Sequence, residues 1–197
     1  MRGTFNLSNA CAAALLAGLI GVSEARVVEA LRRFRGLPHR LQLVRELGGI
    51  SYWNDSKATN VAAAAAALDA LSASAERLVL IAGGLHKGSS YHPLRQRLRE
   101  RGRAAVLIGE AAPLLRVDLE GEDFPVQMAV DLGDAVRRAR GLARSGDAVL
   151  LAPACSSFDM FRSYAHRGEV FEQAVRQLEE DDPVAGMLTG GRAGGSR

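Results

Sequence analysis

The sequence predicts an α/β fold: a mostly parallel sheet flanked by helices, preceded by two further helices. LVLIAGG at 78–84, AAVLIG at 104–109 and DAVLLAP at 147–153 are apolar runs without alternation, the pattern of strands buried on both faces. Segments of helical periodicity separate them, and strands that alternate with helices imply a covered parallel sheet. Ahead of the first strand signal, residues 7–34 carry helical periodicity alone.

The elements follow in order. Helices are predicted at 7–21 and 23–34, the second with Ser23 as N-cap ahead of Glu24 and closing before Gly36. RGLPHR at 35–40 holds the glycine and proline of a connector, which sets a domain boundary there. LQLVREL and ISYWN flank Gly48-Gly49 and predict a hairpin over 41–54. Beyond the loop NDSKATN come a helix at about 60–71 and the strand at 78–84. A helix at 92–101 leads to 104–109, one near 110–116 to FPVQMAV, and one at 133–144 to 147–153. From Asp181 the chain is rich in glycine and without periodicity, so a disordered tail is expected.

Composition narrows the function. A chain of 197 residues holds one principal domain, and 48% apolar with 24% charged residues excludes a mainly disordered chain. The richest apolar run, ACAAALLAGLIGV at 10–22, falls short of the ~18 residues a membrane span needs and is punctuated like an amphipathic helix, unlike a signal peptide. A cytoplasmic protein without a membrane partner is expected. Cys11 and Cys155 lie far apart with no CxxC spacing, which reads as reduced thiols and no zinc. The net charge of +3 is scattered, and RLRERGR at 97–103 reads as a solvated helix face, so no nucleic-acid partner is expected. Of the 25 lysines and arginines, only Lys57 and Lys87 are lysine, each in a loop after an apolar run. Lysine is a compact point charge where arginine is a planar fork, so the two are not equivalent at an anion site.

Three chemically loaded loops follow strands and should converge, because loops at the carboxyl ends of parallel strands share one edge. In NDSKATN, Lys57 suits a phosphate, and Asp55 suits ribose hydroxyls or Mg²⁺ held through water. Thr59 stands near a helix start whose amides favour anions. Alternatively one of Asp55, Ser56, Thr59 and Asn60 is a helix cap. GGLHKGSS resembles a Walker A loop only superficially, since Lys87 precedes the second glycine; with no GxGxxG either, a dinucleotide oxidoreductase is disfavoured. Its glycine turn lets Lys87 reach an anion, or else leaves it facing solvent. PACSSFDMF has no GxSxG elbow, so Cys155, Ser156 and Ser157 are poor nucleophile candidates. Cys155 suits packing, and the serines, expected at the start of the next helix, suit a carboxylate. His39 and His166 are too isolated for a metal pattern and read as hydrogen-bonded side chains. Arg40, at the boundary, is a hinge-borne phosphate contact or a surface arginine.

FNLSNACAA, GLPHR, NDSKATN, GGLHKG and PACSSFDMF followed by HRG resemble, in this order, the segments of the ATP-dependent Mur ligases of peptidoglycan synthesis, in their D-glutamate-adding branch. The resemblance runs from about residue 3 to 178. It implies a Rossmann-like C-terminal domain that binds the amino acid at 37–180, a helical remnant of the central domain at 1–36, and a tail at 181–197. It implies that ATP, with Mg²⁺, phosphorylates the carboxylate of UDP-N-acetylmuramoyl-L-alanine and that the amine of D-glutamate attacks the acyl phosphate. Catalysis then rests on positioning and charge neutralisation, with no protein nucleophile. By resemblance, Asn6, Asn9, Arg40, Asp55 and Lys57 meet the nucleotide, while Thr59, Lys87, Ser157, Phe158 and Tyr164 hold D-glutamate. Phe5 stands where the family usually has histidine. The family's GK[ST] phosphate loop does not occur in these 197 residues, so the chain alone is expected to be an inactive monomer. The other reading is a free-standing module that binds D-glutamate or a nucleotide without turnover.

Overall fold

The computed structural model describes residues 4–179, and the expected tail lies outside them. The first two helices are α1 (Thr4–Leu19) and α2 (Glu24–Arg33). The hairpin follows as β1 (Gln42–Leu47) and β2 (Ile50–Asn54), then α3 (Val61–Ser72), β3 (Leu78–Gly83), α4 (His92–Arg101) and β4 (Gly102–Ile108). The chain continues through α5 (Ala112–Asp118), β5 (Val126–Met128), α6 (Leu132–Leu142), β6 (Ala148–Leu151) and α7 (Tyr164–Arg176). The sheet order is β1-β2-β6-β3-β4-β5. β1 is antiparallel to β2, and every other pairing is parallel.

The apolar runs do not alternate because both faces of the sheet are covered. Along β3, Leu78, Leu80 and Ala82 join one core layer, while Val79 and Ile81 join the other. In β6, Ala148 and Leu150 fall with the first set, Val149 and Leu151 with the second. Helices α3, α4 and α5 cover the first layer, and α6 and α7 the second. Each fully buried leucine or isoleucine contributes roughly 2 kcal/mol, so the central strands anchor the edge that carries the loops.

Side-chain caps open α3, α6 and α7, whereas α2, α4 and α5 start without one. Asn60 caps α3, its side chain accepting from the Ala63 N–H at 2.8 Å, which leaves Asp55, Ser56 and Thr59 free of that task. Ser23 holds the N-cap position of α2 without a side-chain capping bond. The helix after β6 corrects an expectation: Ser156 and Ser157 do not begin it. Ser156 is extended and exchanges hydrogen bonds with Leu85 at 3.0 and 3.2 Å, so the helix waits for Ser163, which caps α7 through the His166 N–H at 3.1 Å.

Helices α1 and α2 stand outside both core layers. Leu15, Leu16, Leu19 and Ile20 remain mostly exposed, so this pair presents an uncovered apolar surface.

Candidate functional site

The three loaded loops do converge: a buried arginine ties two of them together, and the Leu85–Ser156 bridge joins the third. Arg167, fully buried on α7, donates through Nε to the Ser56 hydroxyl at 3.0 Å and through Nη2 to the Ser56 carbonyl at 2.9 Å. Its Nη1 donates to the carbonyls of Cys155 and Ser156, each at 3.2 Å. Desolvation pushes its pKa down to about 10, opposed by the acidic groups of Cys155 and Asp159. The Ser56 hydroxyl donates onward to the Tyr164 carbonyl at 2.7 Å. Backbone bonds complete the junction: Ala154 N–H to Ala58 O and Gly83 N–H to Pro153 O, both at 2.9 Å.

Close approach of the loops requires glycine at 84. Its φ is 130°, and a Cβ there would collide with the Ser156 carbonyl oxygen. We expect Gly84→Ala to lower stability by roughly 3 kcal/mol in urea denaturation, because strain and a broken Leu85–Ser156 bridge add. Three non-glycine residues of the same region also hold positive φ: His39 at 60°, Leu41 at 44° and Ala154 at 59°.

A second hub lies beside the connector. The Asn54 Oδ1 accepts the Ser56 N–H at 3.0 Å. Its Nδ2 donates to Glu172 Oε1 at 3.0 Å and to the Gly168 carbonyl at 3.2 Å, and lies 3.0 Å from His39 Nδ1. The His39 carbonyl accepts the Lys57 N–H at 3.1 Å, and the His39 ring meets Tyr164 edge-on. Lys57 Nζ then stands 3.9 Å above the Tyr164 ring, a cation–π contact between two of the predicted site residues. The connector, the first loop and α7 thus form one unit.

Next to this unit a cleft of about 810 Å³ separates α1 and α2 from the sheet. Asn6 and Asn9 line it from α1, Leu31 from α2, Phe34 from just beyond α2, and Arg40 and Trp53 from the opposite wall. Asp55 sits just behind that wall, 6% exposed, where the backbone of Leu41 and the charge of Arg40 favour its carboxylate. Desolvation outweighs both and raises its pKa to about 6. Among the described residues no group of three His, Cys, Asp or Glu side chains gathers as a metal-ligand set.

Residues 39–155, more than half of the chain, match the family model described as Mur ligase, glutamate ligase domain. The chain belongs to the Mur ligases. It is 48% identical over 181 residues to the UDP-N-acetylmuramoylalanine-D-glutamate ligase of Bordetella pertussis, covering 92% of this chain and 35% of that protein. The ligase of the same name from Burkholderia mallei is also 48% identical, over 178 residues, 90% of this chain and 35% of the relative. The chain therefore spans about a third of the length of these relatives. Two solved structures share the fold. Mycobacterium tuberculosis folylpolyglutamate synthase complexed with ADP superposes with a TM-score of 0.67 at 18% identity, over 91% of this chain and 42% of that one. UDP-N-acetylmuramate-alanine ligase from Thermotoga maritima gives 0.65 at 15% identity, over 89% and 39%.

In this Mur ligase domain the ten predicted site residues fall into three groups. Asn6, Asn9 and Arg40 share the cleft, with Asp55 behind it. Lys57 and Tyr164 are stacked, and Thr59, whose N–H bonds the Lys57 carbonyl at 2.8 Å, follows in the same loop. Ser157 is buried where its carbonyl accepts the N–H of Phe161 at 2.8 Å, whereas Phe158 and Lys87 are exposed. Lys57 thus touches a residue predicted for D-glutamate while being itself predicted for the nucleotide. His39 and His166 make the ordinary hydrogen bonds expected of them: the His166 Nδ1 accepts the Arg162 N–H at 3.3 Å. Cys155 is 1% exposed with its thiol pKa raised by burial, which suits packing.

Sequence reasoning missed Asn54 and Arg167. Asn54 opens the motif NDSKATN but looks like a turn residue. Arg167 had a usable signal, since it shares a buried helical stripe with Phe171 and Val175 at spacings of four, an odd place for an arginine.

Proposed function

We propose that this chain forms the amino-acid-delivering part of an ATP-dependent ligase that joins D-glutamate to UDP-N-acetylmuramoyl-L-alanine through an acyl phosphate. The observation that carries the reading is the convergence of the Lys57, Lys87 and Ser157 loops beside the Asn6–Asn9–Arg40 cleft. It puts cations for two anionic ligands at one edge of the sheet. The nucleotide takes the cleft: Asn6 and Asn9 face its base, Arg40 its terminal phosphate, and Lys57 its phosphate chain. Asp55 accepts ribose hydroxyls, donors that favour a carboxylate otherwise penalised by burial. Thr59, Lys87, Ser157, Phe158 and Tyr164 hold D-glutamate, with Lys87 against its side-chain carboxylate. Mg²⁺ travels with the nucleotide phosphates, to which the described residues add only Asp55 through water. In this reading residues 1–36 belong with a central domain and 37–180 form the amino-acid-binding domain.

The residues then position reactants and neutralise charge, and none acts as a nucleophile. The reading calls for a cytoplasmic monomer with no nucleic-acid or membrane partner. No helix among the described residues is long and apolar enough to cross a membrane.

Two measurements test the proposal. The 197-residue chain incubated with ATP, Mg²⁺ and both substrates should form no ADP, since it has no GK[ST] loop. D-Glutamate at a hundred times its dissociation constant should stabilise the chain by about 2.7 kcal/mol, read as a rise in Tm. Lys87→Ala should lose that rise; an equal rise in the variant would remove Lys87 from the site.

A further inference from the structure

His86, Tyr91 and Cys155 form a hydrogen-bonded chain that the proposed chemistry does not use. The His86 Nδ1 lies 2.7 Å from the Tyr91 hydroxyl, and the two rings touch at a centroid distance of 5.5 Å. The same hydroxyl lies 3.1 Å from the Cys155 Sγ. Tyr91 and Cys155 are buried and His86 is half-buried, so the chain runs from the interior to the rim of the loop after β3. Its middle member is fixed from a third side, where the Tyr91 N–H donates to the Asp118 Oδ2 at 2.9 Å.

Lys87 follows His86 directly and is itself exposed, on a loop whose next residue, Gly88, has a φ of 78°. A lysine stem in such a loop has wide rotamer freedom, so its placement depends on how firmly the backbone beneath is held. The backbone is held twice. Leu85 is bridged to Ser156, and His86 is clasped by Tyr91, itself bonded to Cys155 one residue before Ser156. Both fastenings lead to the loop that carries Ser157.

We propose that the His86–Tyr91–Cys155 chain sets the position of Lys87, making His86 and Tyr91 positioning residues for the side-chain carboxylate of a dicarboxylic amino acid. The proposal rests on the reading of Lys87 given above. A buried tyrosine hydroxyl needs one partner to satisfy it. This one has two, from loops that follow different strands, and one of them adjoins the lysine.

The test has two arms. Calorimetry on the 197-residue chain compares D-glutamate binding by wild type, Tyr91→Phe, Lys87→Ala and the double variant. Tyr91→Phe should weaken binding about tenfold, and should weaken it no further once Lys87 is gone, a coupling that a merely structural hydroxyl would not show. His86→Phe should behave like Tyr91→Phe, and His86→Gln, which still reaches the hydroxyl, should restore binding. Additive losses or an unchanged Tyr91→Phe affinity would overturn the proposal. The second arm needs no ligand. Because the chain has only two lysines, their ¹³Cε resonances can be assigned by the lysine variants, and Tyr91→Phe should shift and sharpen Lys87 while leaving Lys57 in place. Lack of D-glutamate binding by wild type would sink the amino-acid reading, whereas a Lys87 resonance indifferent to Tyr91 would sink the positioning chain.

Discussion

Arg167→Met should lower the unfolding free energy by about 3 kcal/mol and unfasten the loops that it joins. The substitution leaves the carbonyls of Ser56 and Cys155 without their donor, at ~1–3 kcal/mol for each buried acceptor, while that of Ser156 keeps the Leu85 N–H. Removing a desolvated charge and filling its space with methionine returns part of that loss, which keeps the total near 3. Lysine should fare little better, because one ammonium cannot reproduce a fork that reaches two loops at once. Urea denaturation gives the stability, and the D-glutamate-dependent rise in Tm gives the site. A variant with native stability and native binding would remove Arg167 from the centre of the structure.

Asp55→Asn should gain about 2 kcal/mol of stability at pH 7.5 while losing nucleotide affinity. The folded chain raises the Asp55 pKa from 3.8 to about 6, so between those values the native state holds a proton that the unfolded chain releases. The stabilisation from this group is complete below about pH 4 and is lost as pH rises through about 6. Two units correspond to about 3 kcal/mol, an upper figure that residual hydration reduces. Thermal unfolding from pH 4 to 8 should therefore show this slope in wild type and a shallower one in the asparagine variant. Nucleotide binding should follow the opposite course in wild type, weakening as pH falls below 6, because the protonated acid accepts ribose hydroxyls poorly. A variant with the wild-type slope would assign the titration elsewhere.

Most of the fold was legible because burial on both faces writes itself into sequence. The runs at 78–84 and 147–153 have no polar member between Leu78 and Gly83 or between Ala148 and Leu151, and the structure splits them between two cores. Convergence of the loops followed from topology alone. Finer choices did not. Asp55, Ser56, Thr59 and Asn60 can all cap a helix, and only the backbone at 60 selects Asn60. The contact of Lys57 with Tyr164 joins positions far apart in the chain, which no local pattern records. The start of α7 was placed too early, at Ser156 and Ser157, because a helix usually follows soon after such a strand. Pairing with Leu85 instead holds Ser156 extended. Arg167 was overlooked since an arginine on a helix ordinarily faces water.

His39, Leu41 and Ala154 hold a backbone shape natural to glycine, at a cost of order 1 kcal/mol each. A screen that rewarded heat resistance would thus try glycine first at Ala154, where only a methyl is lost, because at Leu41 the loss of a core side chain outweighs the relief. That gain would come out of the loop scaffold, since Ala154 leads directly into the Cys155–Ser157 segment. Selection for durability and selection for a fixed loop geometry should pull this position in opposite directions.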